Sequence, residues 1–344
     1  MDIDVFALDA AAEESNFTGV VTVHQAGELA FEKAWGLADR AHGVPNTGAT
    51  RFALASGAKA FTALTAMRLV EDGILALDAP VRRWLGEDLA LVDDAVTLEH
   101  LLTHTSGIGD YLDESAGGEI TDYVMPVPVH TMDSTEAYVP ALDGKPQVSA
   151  PGQHFAYNNS GYVLAALIAE RAAGVSFYEL VQREVFDRAG MANTAYLRMD
   201  QLPGDTARGY LFAPSVAPEA LRTNVLNLPV RGCGDGGVFS TAADLAAFWG
   251  AVLEGRIVTA ETLTAMTRPR VDVPDEGKRY GMGFWLAGLG HMPAQPAVIM
   301  EGHDAGVSMR STCDPVTGDV GTVLSNWSDG AWAVGDVVDE WIGA

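Results

Sequence analysis

The sequence predicts an α/β protein: one antiparallel β-sheet flanked by helices, built from both chain ends, with an inserted all-helical lobe. Three observations carry this. Residues 18–36, TGVVTVHQAGELAFEKAWG, hold two β-rich runs split by QAGE, which is a hairpin signal. The last part of the chain holds four more short β-rich runs, YGMGFWLAGLG, AVIMEG, GVSMRSTCD and DVGTVLSNW, with turns between them. Helical patterns dominate the stretch in between, and the simplest packing lays them on a sheet assembled from both termini. The expected division is 1–76 with 230–344 as the sheet lobe and 77–229 as the helical lobe, with a site between them.

Taken in order, residues 3–15 alternate apolar and acidic side chains at helical spacing and predict a first helix. The hairpin follows, then a polar connector, DRAHGVPNTGATRF. Residues 58–67 are apolar or small apart from Lys59 and two Thr, with Gly73 as a natural stop. A helix without a polar face has no side to give to water, so this one is expected to be buried. Pro80 can open a short helix in LDAPVRRWL. Thr97 is a plausible cap for a short helix over 98–104. Residues 110–150 are polar and irregular, and a loop this long is expected to be functional or mobile and to form part of a substrate rim. PGQHFAYNNSGYVLAALIAERAAG runs from a turn into a helix ended by Gly174. Ser176 with Glu179, and Thr241 with Asp244, read as capping boxes at two further helices. A last helix is expected over 329–342.

With 344 residues and 48% hydrophobic composition, the chain can bury a sizeable core. No run of 18 uncharged apolar residues exists, so no membrane insertion is expected. A net charge of −25 argues against nucleic acid and anionic membranes as partners. The first residues carry acids where a signal peptide would be basic, so the expectation is an unexported, cytoplasmic protein unless a leader has been removed. Cys233 and Cys313 are too few for a disulfide framework and are expected as free thiols.

Chemistry concentrates at Ser56 and Lys59. Spacing i, i+3 puts both on one helix face. Ser56 falls at the expected helix N-terminus, where unpaired N–H groups favour a developing anion. Lys59, among Ala, Phe and Leu, is desolvated, and desolvation turns an ammonium toward a usable base. A nucleophile, a base and an anion-stabilising helix end are the parts of acyl transfer. The plainer alternative makes Ser56 a cap and sends Lys59 to the surface. Tyr157 and Asn159 precede another helix and offer a proton shuttle and a neutral donor–acceptor, against a plainer reading in which Asn159 caps that helix. His303, Asp304, Ala305 and Gly306 lie at a strand edge, where close backbone approach suits an oxyanion donor. His100 and His104 stand at the i, i+4 spacing of zinc ligands, but no Glu lies between them and no third ligand motif is evident. Two core or hinge histidines are the favoured reading, and neither metal nor cofactor is expected. A Gly-x-Ser-x-Gly elbow, a phosphate loop and a dinucleotide fingerprint are absent from the sequence.

The set SGAK (56–59), YNN (157–159) and HDA (303–305), in this order, resembles the serine hydrolases related to class C β-lactamases. These include D-alanyl-D-alanine peptidases, D-aminopeptidases and carboxylesterases. TLEHLLTHTSGI, PGQHFAYNNSGYVLAALI and GGVFSTAADLAAF extend the similarity over most of the chain. The resemblance implies a β-lactamase/transpeptidase-like fold with Ser56 as nucleophile, while Lys59 and Tyr157 remove its proton and pass it to the leaving group. Asn159 would orient substrate and Lys59. The N–H groups of Ser56 and Gly306 would form the oxyanion hole, and His303 would take the third-motif role. Two departures stand out. Ala305 replaces the usual Gly and is expected to crowd the strand edge. Asp304 stands where relatives that bind a substrate carboxylate often have Thr. Like charges about 4 Å apart repel by about 4 kcal/mol near a protein surface, which disfavours penicillins and D-Ala-D-Ala peptides. The leading expectation is an esterase or amidase (peptidase) on small uncharged or cationic substrates. A β-lactamase or D-Ala-D-Ala carboxypeptidase, an inactive binding scaffold and, remotely, a zinc hydrolase are the alternatives.

Overall fold

The computed structural model describes residues 3–114, 117–212, 220–288 and 296–343. Eight strands form one antiparallel sheet: β1 (Gly19–Gln25), β2 (Glu28–Trp35), β3 (Val271–Val273), β4 (Lys278–Tyr280), β5 (Trp285–Leu286), β6 (Val298–Asp304), β7 (Val307–Cys313) and β8 (Val320–Ser325). Their order is β2-β1-β8-β7-β6-β5-β4-β3. The N-terminal hairpin therefore pairs directly with the last strand, as the composition of the two ends predicts, with Gly19 opposite Ser325.

Alternation along these strands serves two faces, because successive side chains point to opposite sides. Val20 and Leu324 enter the large core, while Val21, Val23 and Val323 enter a smaller one. That smaller core is closed by α1 (Val5–Glu14) and the C-terminal helix α5 (Ala331–Ile342), through Leu8, Val334, Val338 and Trp341. The large core lies over the other face and holds α2 (Ala58–Glu71), α3 (Asn159–Ala173) and α4 (Ala242–Leu253). Every residue of α2 from Ala58 to Met67 is buried. Phe61 sits edge-on to both Phe186 and Phe248. Burying one such side chain stabilises the fold by roughly 1.5–3 kcal/mol. Among the described residues, no helix is long and apolar enough to cross a membrane. Cys233 and Cys313 are both buried free thiols.

Local departures have local causes. Pro80 does not open a helix; it bridges to Thr97, and the helix starts at Arg82. The helix begun by Thr97 stops at Leu102, and His104 beyond it takes a left-handed φ of 56°. Thr241 caps α4, but the Asp244 carboxylate turns away to the Asn193 N–H and the Thr194 hydroxyl, both at 2.7 Å. Ser176 likewise caps the Glu179 N–H, and this helix relaxes into a π turn over Gln182–Phe186. The run YGMGFWLAGLG divides between β4 and β5, and its last two residues lie outside the described residues, as do 115–116 of the irregular 110–150 stretch. Among the described residues that stretch carries 3-10 turns at Ile120–Asp122, Val129–Thr131 and Glu136–Tyr138, the last running straight into a short helix at Val139–Leu142.

One contact between sheet and helix governs the rest. The 3-10 turn Ala55–Gly57, which leads into α2, packs on β6 at Gly302. A Cβ built on Gly302 would collide with the Leu54 carbonyl oxygen and lie 3.0 Å from the Gly57 nitrogen. Forcing atoms into such a contact typically costs about 1–3 kcal/mol, so Gly302→Ala is expected to lower unfolding free energy by that amount in urea titration. Unchanged stability would show that strand and turn can separate freely.

Candidate active site

Ser56 lies within that 3-10 turn, one residue after Ala55, which is held at φ 42°. A left-handed non-glycine residue costs about 1–3 kcal/mol and persists where surrounding structure imposes it. Lys59 follows one helical turn later and is 2% exposed. Its Nζ has three partners from three parts of the chain: Ser56 Oγ at 2.9 Å, Asn159 Oδ1 at 2.7 Å and the Asp235 carbonyl oxygen at 3.0 Å. Burial pulls the Lys59 amine below the ordinary lysine value, against the opposing charges of Asp235, Glu114, Asp110 and Asp304. A neutral amine has two N–H donors and one lone pair. In that form the two carbonyl-type oxygens, which can only accept, would take the donors and leave the lone pair to the Ser56 hydroxyl, whereas the ammonium would donate to all three.

Tyr157 lies over this amine, with Lys59 Nζ 4.8 Å from its ring centroid, and its hydroxyl bonds to Ser56. Burial first, then the Glu114 charge, pushes the phenol well above its ordinary value, so it stays protonated and acts as a donor. Asn159 is the first residue of α3. The cap is its neighbour: Asn158 Oδ1 accepts the Gly161 N–H at 2.7 Å, which frees Asn159 to face Lys59. The Asn159 side-chain nitrogen donates to the Leu112 carbonyl (2.9 Å) and Glu114 Oε1 (3.0 Å).

Asp110, Glu114 and Asp235 are parts of the site that the sequence did not reveal. Asp110 accepts the N–H groups of Asn159 (2.7 Å) and Ser160 (2.8 Å) at the start of α3, and burial raises its carboxyl to about 6. Asp235 binds Lys59 through its backbone and receives the Tyr111 hydroxyl on its carboxylate at 2.5 Å. The only signal for either was an acid beside glycine, IGDY or CGDGG, which turns share.

His303 and Asp304, at the end of β6, line the same pocket as Ser56, Asn159, Glu114 and Asp235. His303 Nε2 is 3.5 Å from Asp329 Oδ1. Asp304 is raised to about 7, chiefly by burial, partly offset by the Ala305 N–H it accepts at 2.7 Å. At the hairpin tip beyond it, the Gly306 N–H donates to the Ser328 hydroxyl at 2.8 Å, so here it is engaged by Ser328 rather than left open for an oxyanion. Ala305 is buried with Ala55, Leu211, Leu228 and Val307, and its carbonyl accepts from Asn224 at 2.8 Å. The tip is short because only Ala305 and Gly306 separate the paired residues Asp304 and Val307. His100 and His104 do not converge. His100 Nδ1 accepts the Thr97 N–H and His104 Nδ1 the Asn158 N–H, and no metal-holding group of side chains occurs among the described residues.

The family model "Beta-lactamase" matches residues 7–336 of the chain. Esterase EstB of Burkholderia gladioli is 37% identical over 195 residues, 55% of this chain and 50% of EstB. Penicillin-binding protein 4* of Bacillus subtilis (strain 168) is 29% identical over 81% of this chain and 61% of its own length. The chain thus spans half to about three fifths of these curated relatives. The crystal structure of a penicillin binding protein from Bacillus halodurans superposes with a TM-score of 0.89 at 33% identity, covering 97% of this chain and 99% of that one.

Asn159→Asp tests the electrostatics of the amine. A carboxylate at this distance raises a lysine pKa by about 1–3 units. The pH at which Ser56 begins to react with a fluorophosphonate is expected to rise by the same amount, and an unmoved profile would count against a neutral Lys59 as the base.

Proposed function

The chain belongs to the β-lactamase family, and from that premise we propose that it is a serine hydrolase working through an acyl-enzyme on Ser56, as an esterase or amidase (peptidase) of small uncharged or cationic substrates. The observation that carries this is the contact between the buried, pKa-lowered Lys59 amine and Ser56 Oγ, with the two other amine partners both acceptors. Ser56 Oγ attacks the substrate carbonyl carbon and its proton passes to Lys59 Nζ. The oxyanion forms at the N-terminus of the Ser56 turn, where backbone N–H groups and the helix dipole favour negative charge. Tyr157 gives its hydroxyl proton to the departing alcohol or amine and takes one in turn from the protonated Lys59 Nζ. Water then attacks the ester on Ser56 by the same route in reverse, releasing acid and free enzyme.

The pocket wall supports this substrate class. Met125, Leu197, Met199, Leu228 and Phe239 offer an apolar seat for the acyl group. Glu114, Asp235 and Asp304 offer only carboxylates. These favour an uncharged substrate or one with an amine near the scissile bond, and they oppose a substrate carboxylate. The penicillin-binding relatives favour a second reading, a β-lactamase or D-Ala-D-Ala carboxypeptidase, whose substrates would bring a carboxylate toward this wall.

A p-nitrophenyl short-chain ester and a chromogenic cephalosporin separate the two. Fast ester turnover with little cephalosporin cleavage, both abolished in Ser56→Ala, is expected; fast cephalosporin cleavage would overturn the preference. Tyr157→Phe is expected to lower kcat/KM on an ethyl ester by about 10²–10⁴-fold, the usual contribution of a positioned acid. The pH dependence has a defined sign. Asp304 is charged only above about 7, so affinity for an amine-bearing ester is expected to rise as pH increases through 7. Asp304→Asn should flatten the matching fall in KM; an unaltered profile would place the amine elsewhere.

A further inference from the structure

His104 has no place in the proton transfer described above, yet it is fully buried directly against Tyr157. Its backbone is held at φ 56°, a region that non-glycine residues seldom use and that Asn, Asp and His tolerate best. From there it grips the chain on both sides of Tyr157. The His104 carbonyl oxygen accepts the Ala156 N–H at 2.9 Å, and Nδ1 accepts the Asn158 N–H at 3.0 Å. The imidazole lies 4.4 Å from the Tyr157 ring at 33° to it, and Tyr162 and Tyr280 pack at 5.0 and 4.7 Å. Trp285 stacks on the same phenol at 6.1 Å and 10°.

An imidazole that accepts at Nδ1 carries its single proton on Nε2, and this Nε2 has no hydrogen-bond partner among the described residues. Burial pulls His104 well below its ordinary value, which keeps the accepting nitrogen free of a proton. A surface or metal-binding histidine has no need of this arrangement. A ring that must present one acceptor and one flat face to the Tyr157 segment does.

We propose that His104 is a positioning residue: by accepting the Asn158 amide and seating the Tyr157 ring, it fixes the phenol hydroxyl against Ser56 and sets the start of the helix that carries Asn159. The inference rests on the acyl-enzyme reading above. Misplacing a reacting group by about 1 Å can cost about 10²-fold in rate. The cost should fall on protonation of the leaving group, because that is the step assigned to Tyr157.

Three variants separate acceptor from ring. His104→Asn keeps an acceptor oxygen near the Nδ1 position and tolerates the left-handed backbone, but has no ring. His104→Phe keeps a ring and leaves the Asn158 N–H without its acceptor. His104→Ala lacks both. For each, kcat/KM, which reports acylation alone, is measured on the ethyl and p-nitrophenyl esters of one acid, with thermal midpoints and Ser56 labelling by a fluorophosphonate alongside. p-Nitrophenolate leaves without a proton, whereas ethanol needs one. In His104→Phe and His104→Ala the ethyl ester is expected to lose about 10²-fold and the p-nitrophenyl ester far less, while His104→Asn recovers most of the ethyl ester rate. Parallel loss on both esters together with a lowered thermal midpoint would make His104 merely structural and overturn the proposal. So would His104→Asn behaving like His104→Phe. Should wild-type protein hydrolyse neither ester and leave Ser56 unlabelled, the acyl-enzyme reading itself fails and takes this inference with it.

Discussion

The arrangement depends on one buried nitrogen. Lys59 Nζ is shared by the turn that starts α2, the first residue of α3 and the backbone at Asp235. The second and third of these lie 100 and 176 positions from Lys59, so no local rule brings them to it. A buried amine that loses one partner leaves a polar group unsatisfied at a cost of about 1–3 kcal/mol. The amine therefore fixes its neighbours as much as they fix it. Around it, Asp110 pins the first N–H groups of α3 and Asn158 takes the next, so Asn159 is free to face inward.

The sheet supplies the second constraint. β6 comes close enough to the Ser56 turn only because Gly302 has no side chain, and that proximity puts His303 and Asp304 on the same pocket as Ser56. The two-residue hairpin after Asp304 then turns the following backbone away toward Gly209, Asn224 and Ser328. At this tip the Gly306 N–H is taken by Ser328 and Ala305 is buried, while His303 and Asp304 line the pocket.

Much of the fold was legible because it is written in periodicity. Alternation at 18–36 and after 297, and the unbroken apolar face of 58–67, are local signals that tertiary packing reinforces. Ser56, Lys59, Tyr157 and Asn159 were legible because residue type, spacing and burial agreed. Asp110, Glu114 and Asp235 were not, since each is an ordinary acid in a polar loop and gains meaning only from a partner far along the chain. The Gly306 amide could not be assigned because a motif gives residue order but not hairpin length. His104 was visible as a histidine four residues from another, read as one of two core or hinge histidines; its backbone conformation and its hold on Asn158 are properties of the folded chain alone.

Charge gives the site its direction. Four carboxylates, Asp110, Glu114, Asp235 and Asp304, act on Lys59, and all of them oppose the loss of its proton, yet burial prevails. Whether the amine is neutral near pH 7 is thus the central physical question. The chain has only four lysines, at 33, 59, 145 and 278, so a titration of ¹³C-labelled lysine side chains by NMR can follow each one, with Lys59→Arg identifying the signal. Lys59 should titrate well below the ordinary lysine value of about 10.4. Titration near that value would contradict a neutral Lys59 as the base that activates Ser56.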